Sequence, residues 1–439
     1  MEIKGEIMSK ISENSTENFD TEVALNKINR EIFGHSYTRR LLIKRMLRDL
    51  ESYIYLLKSF KLKDAANLFY TRTIVPTGEG TTQWFYRFGL RKSIMKYPEK
   101  VPLPKFFEIE TTTICNKQCI ICEYIYWPKD EQVRRHMSLE EFKHIVNQFP
   151  AVKWINMTGE GSSFLNKDYF LMLKYLKKKF YTSIWLVEHL SDIEPEQLEK
   201  NVLPYIDGMY ISMDGATRET YEYIKKGCNF ENVINNIKFL IEFKRKNKTP
   251  FPHLQFRYII TKQNVNEMPL FLDLLNSIAK PWEWGAAAMP LEFTGLLCFP
   301  EIEKYYVPTI PRTIVNEMLK RKGGIEFSFS HAEEKSNPPI DQCIAWMEPY
   351  IMMPGYVLPC CAVMMSNKRP FLRKYSFGNV FDKNFKEIWE SDYYSKFRKM
   401  VVDQCAPVPK ICAGCRAFRT QHRIKEYGIW DIYKQEGMQ

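Results

Sequence analysis

The sequence predicts an α/β protein whose parallel strands form a partial (β/α)6 barrel, and three observations support this fold class. Between residues 105 and 299, strand-like runs alternate with amphipathic helical runs. Such alternation is typical of parallel sheets with right-handed crossovers. Glycine-containing loops follow the second and fourth of these runs, and three cysteines follow the first. In a barrel of this kind, the functional site lies at the carboxyl ends of the strands.

Six strands and the helices between them make up this predicted core. The strands are expected over residues 106–114, 154–158, 183–188, 208–213, 254–261 and 283–288. A helix is expected to begin at Ser138, because Glu141 three residues later completes a capping-box pattern. Further helices are predicted over residues 169–180, 232–246 and 268–278. In the 232–246 segment, Val233, Ile237 and Leu240 share one face.

The chain of 439 residues is long enough for more than one structural unit. We expect a basic helical extension over residues 1–104, the α/β core over 105–299 and a small cysteine-bearing unit over 300–439. The last boundary is placed where the strand–helix alternation stops and prolines begin to interrupt the chain. Eleven cysteines without a secretory signal argue against a disulfide framework, and their clustering indicates metal binding.

Positive charge is concentrated ahead of the α/β core. The formal net charge is +11, and residues 37–104 contain 14 Lys or Arg against 5 Asp or Glu. Residues 39–63 have the pattern of one or two basic amphipathic helices. The favoured interpretation is a cap packed on the core, because such helices are common on soluble proteins. The alternative is an interfacial helix that makes peripheral contact with an anionic membrane or a polyanionic substrate.

The sequence contains neither a membrane span nor a secretory signal that we can identify. No apolar run reaches the roughly 18 residues of a spanning helix. The polar N-terminal stretch lacks the apolar segment of a signal peptide. We therefore expect a cytoplasmic protein. Nothing in the sequence resembles a nucleic-acid-binding motif.

The cysteine loop, residues 115–122, carries three thiols directly after the first predicted strand. A structural zinc site needs four protein ligands, and a [4Fe–4S] cluster also has four irons to ligate. Three cysteines would leave one iron open to a chelating small molecule. The competing interpretation is a set of three buried or zinc-bound cysteines.

The spacing of Cys115, Cys119 and Cys122 after a first strand resembles that of the radical S-adenosylmethionine (radical SAM) superfamily. The resemblance implies that these cysteines are catalytic and hold a [4Fe–4S] cluster whose open iron binds S-adenosylmethionine. In this family, one electron from the cluster cleaves the cofactor to a 5′-deoxyadenosyl radical. That radical then takes a hydrogen atom from an unreactive carbon of the substrate.

Segments on three other strands also resemble this family. Gly159 and Glu160 follow the second strand as part of a Gly-Gly-Glu-like motif, which implies that they hold the methionyl amino group. Ser212 and Asp214 match a Ser-x-Asp-Gly segment and are assigned as cofactor contacts, with capping of the next helix as their alternative role. Arg257 on the fifth strand is assigned to the methionyl carboxylate, with an exposed or salt-bridged arginine as the alternative.

The third strand departs from the family pattern. Relatives often show Thr-Asn-Gly there, whereas this chain has Val-Glu-His-Leu at residues 187–190. Glu188 and His189 are therefore candidates to contact the cofactor or substrate, or to act as an acid or base. A structural histidine is the favoured interpretation of His189.

The C-terminal cysteines resemble the SPASM/Twitch extension of radical SAM enzymes. Cys343 and Cys360 match its Cys-x(9–15)-Gly-x4-Cys hairpin, and Cys412 and Cys415 match its later Cys-x2-Cys. The resemblance implies that these four thiolates bind one auxiliary [4Fe–4S] cluster. We favour the shorter, one-cluster Twitch form because no cysteine follows Cys415. Cys361 is the alternative to Cys360, and zinc on the same four cysteines is the alternative to iron.

The resemblance implies a radical SAM enzyme whose auxiliary cluster transfers electrons. One outcome is oxidation or bond formation on a peptide, sugar or lipid-linked substrate. The alternative is redox-neutral epimerisation, in which Cys228 or Cys298 returns a hydrogen atom. A small electron donor of flavodoxin or ferredoxin type is the implied partner. The competing class is a non-catalytic zinc or iron–sulfur binding protein.

Overall fold

The structure is a computed structural model, and it describes residues 18–20, scattered positions between 47 and 99, and most of residues 101–412. The longest gaps within the last range cover residues 127–133, 285–290 and 331–344. Among the described residues, no helix combines the length and the apolar character needed to cross a bilayer.

Nine strands form one continuous sheet, and its six central strands are parallel. A separate sheet pairs β1 (Asn18–Asp20) with β8 (Thr309–Pro311). The central strands follow chain order across the sheet, as expected for successive strand–helix units, and the predicted α/β fold class is confirmed. They are β2 (Phe106–Ile109), β3 (Trp154–Met157), β4 (Ser183–Glu188), β5 (Gly208–Ser212), β6 (His253–Ile260) and β7 (Leu291–Gly295).

The C-terminal part of the chain extends this sheet at both edges. β9 (Phe327–Ser330) pairs in parallel with β7. At the other edge, β10 (Tyr350–Met352) pairs in parallel with β2, and β11 (Tyr356–Leu358) returns antiparallel to β10. Because these strands satisfy the edges of the core, the sheet runs across the predicted boundary at residue 299.

The helices lie close to their predicted positions. The capping box is present: the Ser138 hydroxyl accepts from the Glu141 N–H, and the Glu141 carboxylate accepts from the Ser138 N–H. The described helices are α1 (Leu139–Val146), α2 (Tyr169–Lys179), α3 (Pro195–Gln197), α4 (Arg218–Ile224), α5 (Phe230–Lys246), α6 (Met268–Ile278), α7 (Arg312–Arg321), α8 (Cys361–Met364), α9 (Arg369–Tyr375), α10 (Phe385–Trp389) and α11 (Asp392–Val402).

The start of the sixth strand was predicted at the wrong place. Residues 283–288 were expected to be extended, but Glu283 and Trp284 lie in a turn and the observed strand is Leu291–Gly295. Residues 285–288 lie outside the described part of the chain. The predicted segment is a small apolar run without alternation. The observed strand alternates instead: Leu291 and Phe293 are buried, whereas the residue between them is partly exposed. Alternation of buried and exposed residues indicated this strand better than apolar composition did, because a strand directs successive side chains to opposite faces.

The outer face of the sheet is apolar, whereas the inner face carries polar groups as well as an aromatic cluster of Phe106, Trp154 and Trp185. Along β6, Leu254, Phe256 and Tyr258 are buried in the core shared with the helices. The alternate residue Arg257 therefore projects from the other face. Since the core lies between the sheet and the helices, the inner face is free to hold polar groups.

The sheet curves so that distant strands face each other. Glu108 on β2 and Arg257 on β6 are four strand spacings apart, which would be about 19 Å in a flat sheet. Burial raises the pKa of Glu108, and the charge of Arg257 opposes this shift, together with hydrogen bonds from Cys361 and Asn156. We call the region enclosed by this curvature the barrel interior. Its polar residues include Glu108, Asn156, Tyr210, Arg257, Glu292 and Cys361.

Part of the N-terminal extension packs on the core. Leu56 and Ala65 are buried, with Phe251 beside them. Lys61 Nζ donates to the Asn247 carbonyl at 2.8 Å, just beyond α5. A second side of this segment is exposed and apolar. We call it the N-terminal stripe, and it consists of Leu47, Leu50, Ile54 and Leu57.

Candidate active site

The cysteine loop lies at the carboxyl end of β2, where a barrel of this topology places its site. Two of its N–H groups are held by the segment that ends α4. Gln118 donates to the Lys226 carbonyl at 2.8 Å, and Ile120 donates to the Ile224 carbonyl at 2.9 Å. The backbone of the loop is therefore fixed by another strand–helix unit rather than by its own short sequence.

A buried ion pair holds the loop from a second side. Lys117, between the first two cysteines, places its Nζ 2.9 Å from the Gly227 carbonyl and beside the carboxylate of Asp192. Asp192 also accepts from the Ser162 hydroxyl at 3.1 Å. The loops that follow β2, β3 and β4 therefore meet at Asp192.

The three thiols of the cysteine loop have different electrostatic surroundings. Burial raises the pKa of Cys115 and Cys122. The pKa of Cys119 is lowered, first by a hydrogen bond from the Cys228 thiol and then by the positive charge of Lys225. Cys228 is thus directed at a cysteine of the loop.

The donor set of the cysteine loop consists of three thiols. A structural zinc needs four protein ligands, whereas a [4Fe–4S] cluster held by three thiolates keeps one iron open to a ligand. Cys115, Cys119 and Cys122 are the residues that would hold the cluster.

Glu160 lies in the loop after β3, next to the cysteine loop. The Ser162 N–H donates to the Ile114 carbonyl at 3.0 Å, which ties this loop to the residue before Cys115. The Glu160 side chain is 1% exposed. Its Oε2 accepts from Arg369, whereas its Oε1 is buried without a hydrogen-bond partner in the described structure. A buried acceptor oxygen without a donor is costly, so this atom is suited to a ligand that brings a cationic donor.

Ser212 and Asp214 lie together at the end of β5, as their alternation predicts. Lys225 joins them: its Nζ donates to the Ser212 hydroxyl at 2.6 Å and lies 3.0 Å from Asp214 Oδ2. Asp214 is fully buried, and its Oδ1 accepts from the Ile259 N–H at 2.7 Å. The Asp214 carboxylate therefore holds β5 to β6 and neutralises Lys225.

Arg257 lies beside Ser212 in the sheet register, and both project from the inner face of the sheet. Its Nε is 3.3 Å from Glu292 Oε2, and its guanidinium stacks 4.5 Å above the Tyr210 ring centroid. Although it is in the middle of a central strand, its side chain is 43% exposed. The barrel interior is therefore a hollow that solvent reaches.

Glu188 and His189 point in different directions. Glu188 projects from the same face of β4 as the buried apolar residues of that strand. Its Oε1 is 3.5 Å from the Tyr169 hydroxyl on α2. Burial raises the pKa of Glu188 to about 8. His189 contacts Ser162 at 3.3 Å and Asp192 at 3.4 Å. His189 thus belongs to the polar group beneath the cysteine loop, whereas Glu188 belongs to the helix layer.

Comparison with known proteins identifies the family. The family model of the radical SAM superfamily matches residues 109–275, and that of an iron–sulfur cluster-binding domain, SPASM, matches residues 343–416. The chain carries the domain pair of the SPASM-containing subgroup of the radical SAM superfamily. Its cofactors are therefore a [4Fe–4S] cluster, S-adenosylmethionine and auxiliary iron–sulfur chemistry in the C-terminal domain.

Relatives with assigned names share most of their length with this radical SAM protein. The tungsten-containing aldehyde ferredoxin oxidoreductase cofactor-modifying protein of Pyrococcus furiosus is 24% identical over 71% of this chain and 87% of its own. A probable GTP 3′,8-cyclase of Methanocaldococcus jannaschii is 26% identical over 57% of this chain and 83% of its own.

Solved structures of Streptococcus suis SuiB share the fold. SuiB bound to S-adenosylmethionine superposes with a TM-score of 0.52 at 14% identity, covering 84% of this chain and 87% of that one. SuiB bound to its precursor peptide SuiA gives a TM-score of 0.51 at 15% identity, over 77% and 80% of the two chains.

In the SPASM region, the adjacent residues Cys360 and Cys361 have different neighbours. Cys360 and Cys412 both lie close enough to the Tyr394 hydroxyl for their charges to raise its pKa. The two thiols are therefore near each other. Cys361 instead hydrogen-bonds to Glu108 and faces Arg257 in the barrel interior. The predicted ligands Cys343 and Cys415 lie outside the described residues, as do Cys298 and Cys405.

Several residues of this site were not identified from the sequence. Glu110, a charged residue directly after an apolar strand and close to the cysteine loop, carried a usable signal. No sequence signal indicated Arg369, because it is 209 residues from its partner Glu160. Lys117 and Asp192 are each unremarkable in sequence and become a pair only through the fold.

Proposed function

We propose that this protein is a radical SAM enzyme that removes a hydrogen atom from an unactivated carbon of a polar substrate, with an auxiliary [4Fe–4S] cluster for electron transfer. The observation that carries the proposal is the free Oε1 of Glu160, buried beside the cysteine loop. It matches the need of a methionyl ammonium for an anionic acceptor. When bound, the cluster and S-adenosylmethionine supply the radical chemistry.

The protein's own residues would position the cofactor. Glu160 accepts the ammonium, and Gly159 lets the backbone of the loop approach closely. Ser212, on the inner side of β5, would contact the cofactor's polar groups. Asp214 acts through Lys225, whose charge it holds in place. A fixed cation near Cys119 also favours the thiolate that a cluster needs.

The barrel interior supports a polar substrate. Carboxyl groups, an amide, a guanidinium and a thiol line it, and Asn156 Oδ1 is buried without a hydrogen-bond partner in the described structure. Such groups gain more from a ligand that can hydrogen-bond than from a lipid chain. A peptide or a sugar is therefore favoured over the acyl part of a lipid-linked molecule. The relatives' names span cofactor modification and GTP cyclisation, so they support the shared chemistry and no single substrate.

Two partners complete the proposal. The reaction needs an external electron, for which a small flavodoxin- or ferredoxin-type donor is the expected source. The basic N-terminal segment is proposed to make peripheral contact with anionic membranes through the N-terminal stripe, which is exposed and apolar. Flotation with vesicles containing anionic lipid should recruit the wild-type protein, and Leu50→Asp with Ile54→Asp should abolish recruitment. Equal recruitment of both would refute this contact.

Anaerobic reconstitution tests the proposed activity. We expect about eight irons per chain for two [4Fe–4S] clusters. Dithionite and S-adenosylmethionine should then give 5′-deoxyadenosine. Replacing Cys115, Cys119 and Cys122 with Ala should abolish the nucleoside and leave the auxiliary cluster. Bound zinc with no nucleoside product would refute the proposal, and solvent deuterium incorporated into the product would indicate redox-neutral epimerisation instead of oxidation.

A further inference from the structure

A buried ion network joins the C-terminal region to the loop that carries Glu160. Arg369, at the start of α9, is 2% exposed and lies between Glu110 and Glu160. Its Nη1 and Nη2 donate to the two carboxylate oxygens of Glu110 at 2.9 and 2.5 Å. Its Nε donates to Glu160 Oε2 at 2.9 Å. All three guanidinium nitrogens are therefore used inside the network.

Glu110 supports the same loop from the end of β2. Its Oε1 also accepts from the backbone N–H of Glu160 at 3.1 Å, and its Oε2 accepts from the Met353 N–H at 3.0 Å. At Gly159, a Cβ atom would lie 2.5 Å from Glu110 Cγ, so only glycine fits over this carboxylate. Both the backbone and the side chain of Glu160 are thus fixed by the network.

One acceptor oxygen of the network has no donor in the described structure. Two carboxylates and one guanidinium carry a net negative charge when both acids are ionised, and buried charge is costly unless it is paired. Glu123 also faces Arg369 and adds a third acid to the group. Oε1 of Glu160 has no hydrogen-bond partner in the described structure. A cationic donor at this oxygen would satisfy the atom and balance the charge.

We propose that Arg369 is a positioning residue for S-adenosylmethionine, holding Glu160 by Oε2 so that Oε1 is presented to the methionyl ammonium. The inference rests on the proposed function and extends it to a residue outside the radical SAM core. A guanidinium suits this role because its planar fork binds two carboxylates in fixed geometry, which the point charge of lysine does not. Cofactor binding in the core therefore depends on the C-terminal domain.

The test is the affinity of the full-length, anaerobically reconstituted protein for S-adenosylmethionine. Arg369→Gln should weaken binding, measured by equilibrium dialysis, by about tenfold or more, because a charge-assisted contact next to the ligand is lost. The change that the cofactor causes in the EPR spectrum of the reduced cluster should weaken in parallel. Arg369→Lys keeps the charge without the fork and should restore part of the affinity.

Arg398→Gln is the matched control. Arg398 is also buried in the C-terminal region, and its Nη1 donates to the Trp389 carbonyl at 3.0 Å. The carboxylates of Glu110 and Glu160 accept from Arg369 instead. Loss of the Arg398 guanidinium should reduce the stability of the protein and leave its affinity for S-adenosylmethionine within about twofold of wild type.

A double variant guards against loss of folding. Glu110→Leu with Arg369→Met replaces a buried ion pair by apolar groups, a change that often preserves stability. It should fold and still bind S-adenosylmethionine weakly. The inference is wrong if these variants bind as tightly as wild type, or if Arg398→Gln weakens binding equally. A wild-type protein that binds no S-adenosylmethionine would instead remove the proposed function.

Discussion

The ammonium of Lys117, inside the cysteine loop, lies 2.5 Å from a carboxylate oxygen of Asp192, in the loop after β4. Both side chains are nearly buried, with 7% and 11% exposure. Asp192 also accepts from Ser162 in the loop after β3. One carboxylate therefore joins the carboxyl ends of three strands beneath the cysteines.

Asp192→Ala should make the cluster in the cysteine loop labile. The substitution leaves the Lys117 ammonium buried without its partner, which costs about 3 kcal/mol or more in such pairs. We expect iron to leave the loop faster in the presence of a chelator, while the auxiliary cluster is retained. Asp207→Ala is the control, because Asp207 pairs with Lys177 at 3.0 Å at the opposite end of the strands. Equal rates of iron loss in both variants would contradict this role for Asp192.

Cys360 and Cys361 should differ in their effect on iron content. Cys360 shares the surroundings of Tyr394 with Cys412, whereas Cys361 hydrogen-bonds to Glu108. Cys360→Ala should therefore lose about four irons per chain, the content of one cluster, and Cys361→Ala should lose none. Iron and sulfide analysis after reconstitution measures both. Loss of the cluster in Cys361→Ala alone would reverse the assignment.

Binding of S-adenosylmethionine should tighten as the pH rises. Burial and the nearby carboxylates of Glu110 and Glu123 raise the pKa of Glu160, and the charge of Arg369 opposes this shift. Because the ionised form accepts the ammonium, a protonated Glu160 must first lose its proton. Affinity should therefore increase between about pH 6 and pH 8, by up to tenfold per pH unit below the pKa.

Glu160→Gln is the control for this pH effect. The amide does not titrate, so binding should be weaker than in wild type and flat over the same pH range. A wild-type affinity that is flat between these pH values would show that Glu160 is already ionised without the ligand.

Arg257→Met should separate the two roles predicted for this arginine. Its guanidinium pairs with Glu292 and stacks on Tyr210 in the barrel interior. These contacts favour the salt-bridged alternative, so the variant should bind S-adenosylmethionine within about twofold of wild type. Turnover of substrate should fall, since Glu292 is left unpaired where the substrate is proposed to bind. A large loss of cofactor affinity would support the contact with the methionyl carboxylate.

Local patterns in the sequence were sufficient for the architecture and for the position of the cysteine loop. Strand–helix alternation and capping depend on neighbours a few positions apart, so the parallel sheet and the helix at Ser138 could be predicted. The start of the sixth strand was misplaced because a short apolar run does not by itself distinguish a strand from a turn. Cysteine spacing identified the family for the same local reason.

Only the tertiary structure decided which partners complete the site. Arg369 reaches Glu160 from the C-terminal domain, Asp192 reaches Lys117 across two strand–helix units, and Cys361 enters the barrel interior while Cys360 does not. A buried charge needs a counter-charge close to it in space. The separation of two residues in the sequence does not show whether the fold brings them together. The sequence by itself determined the family, the sheet and the position of the three-cysteine loop after the first strand; the electrostatic support of the proposed cofactor site follows from how the C-terminal domain packs on the core.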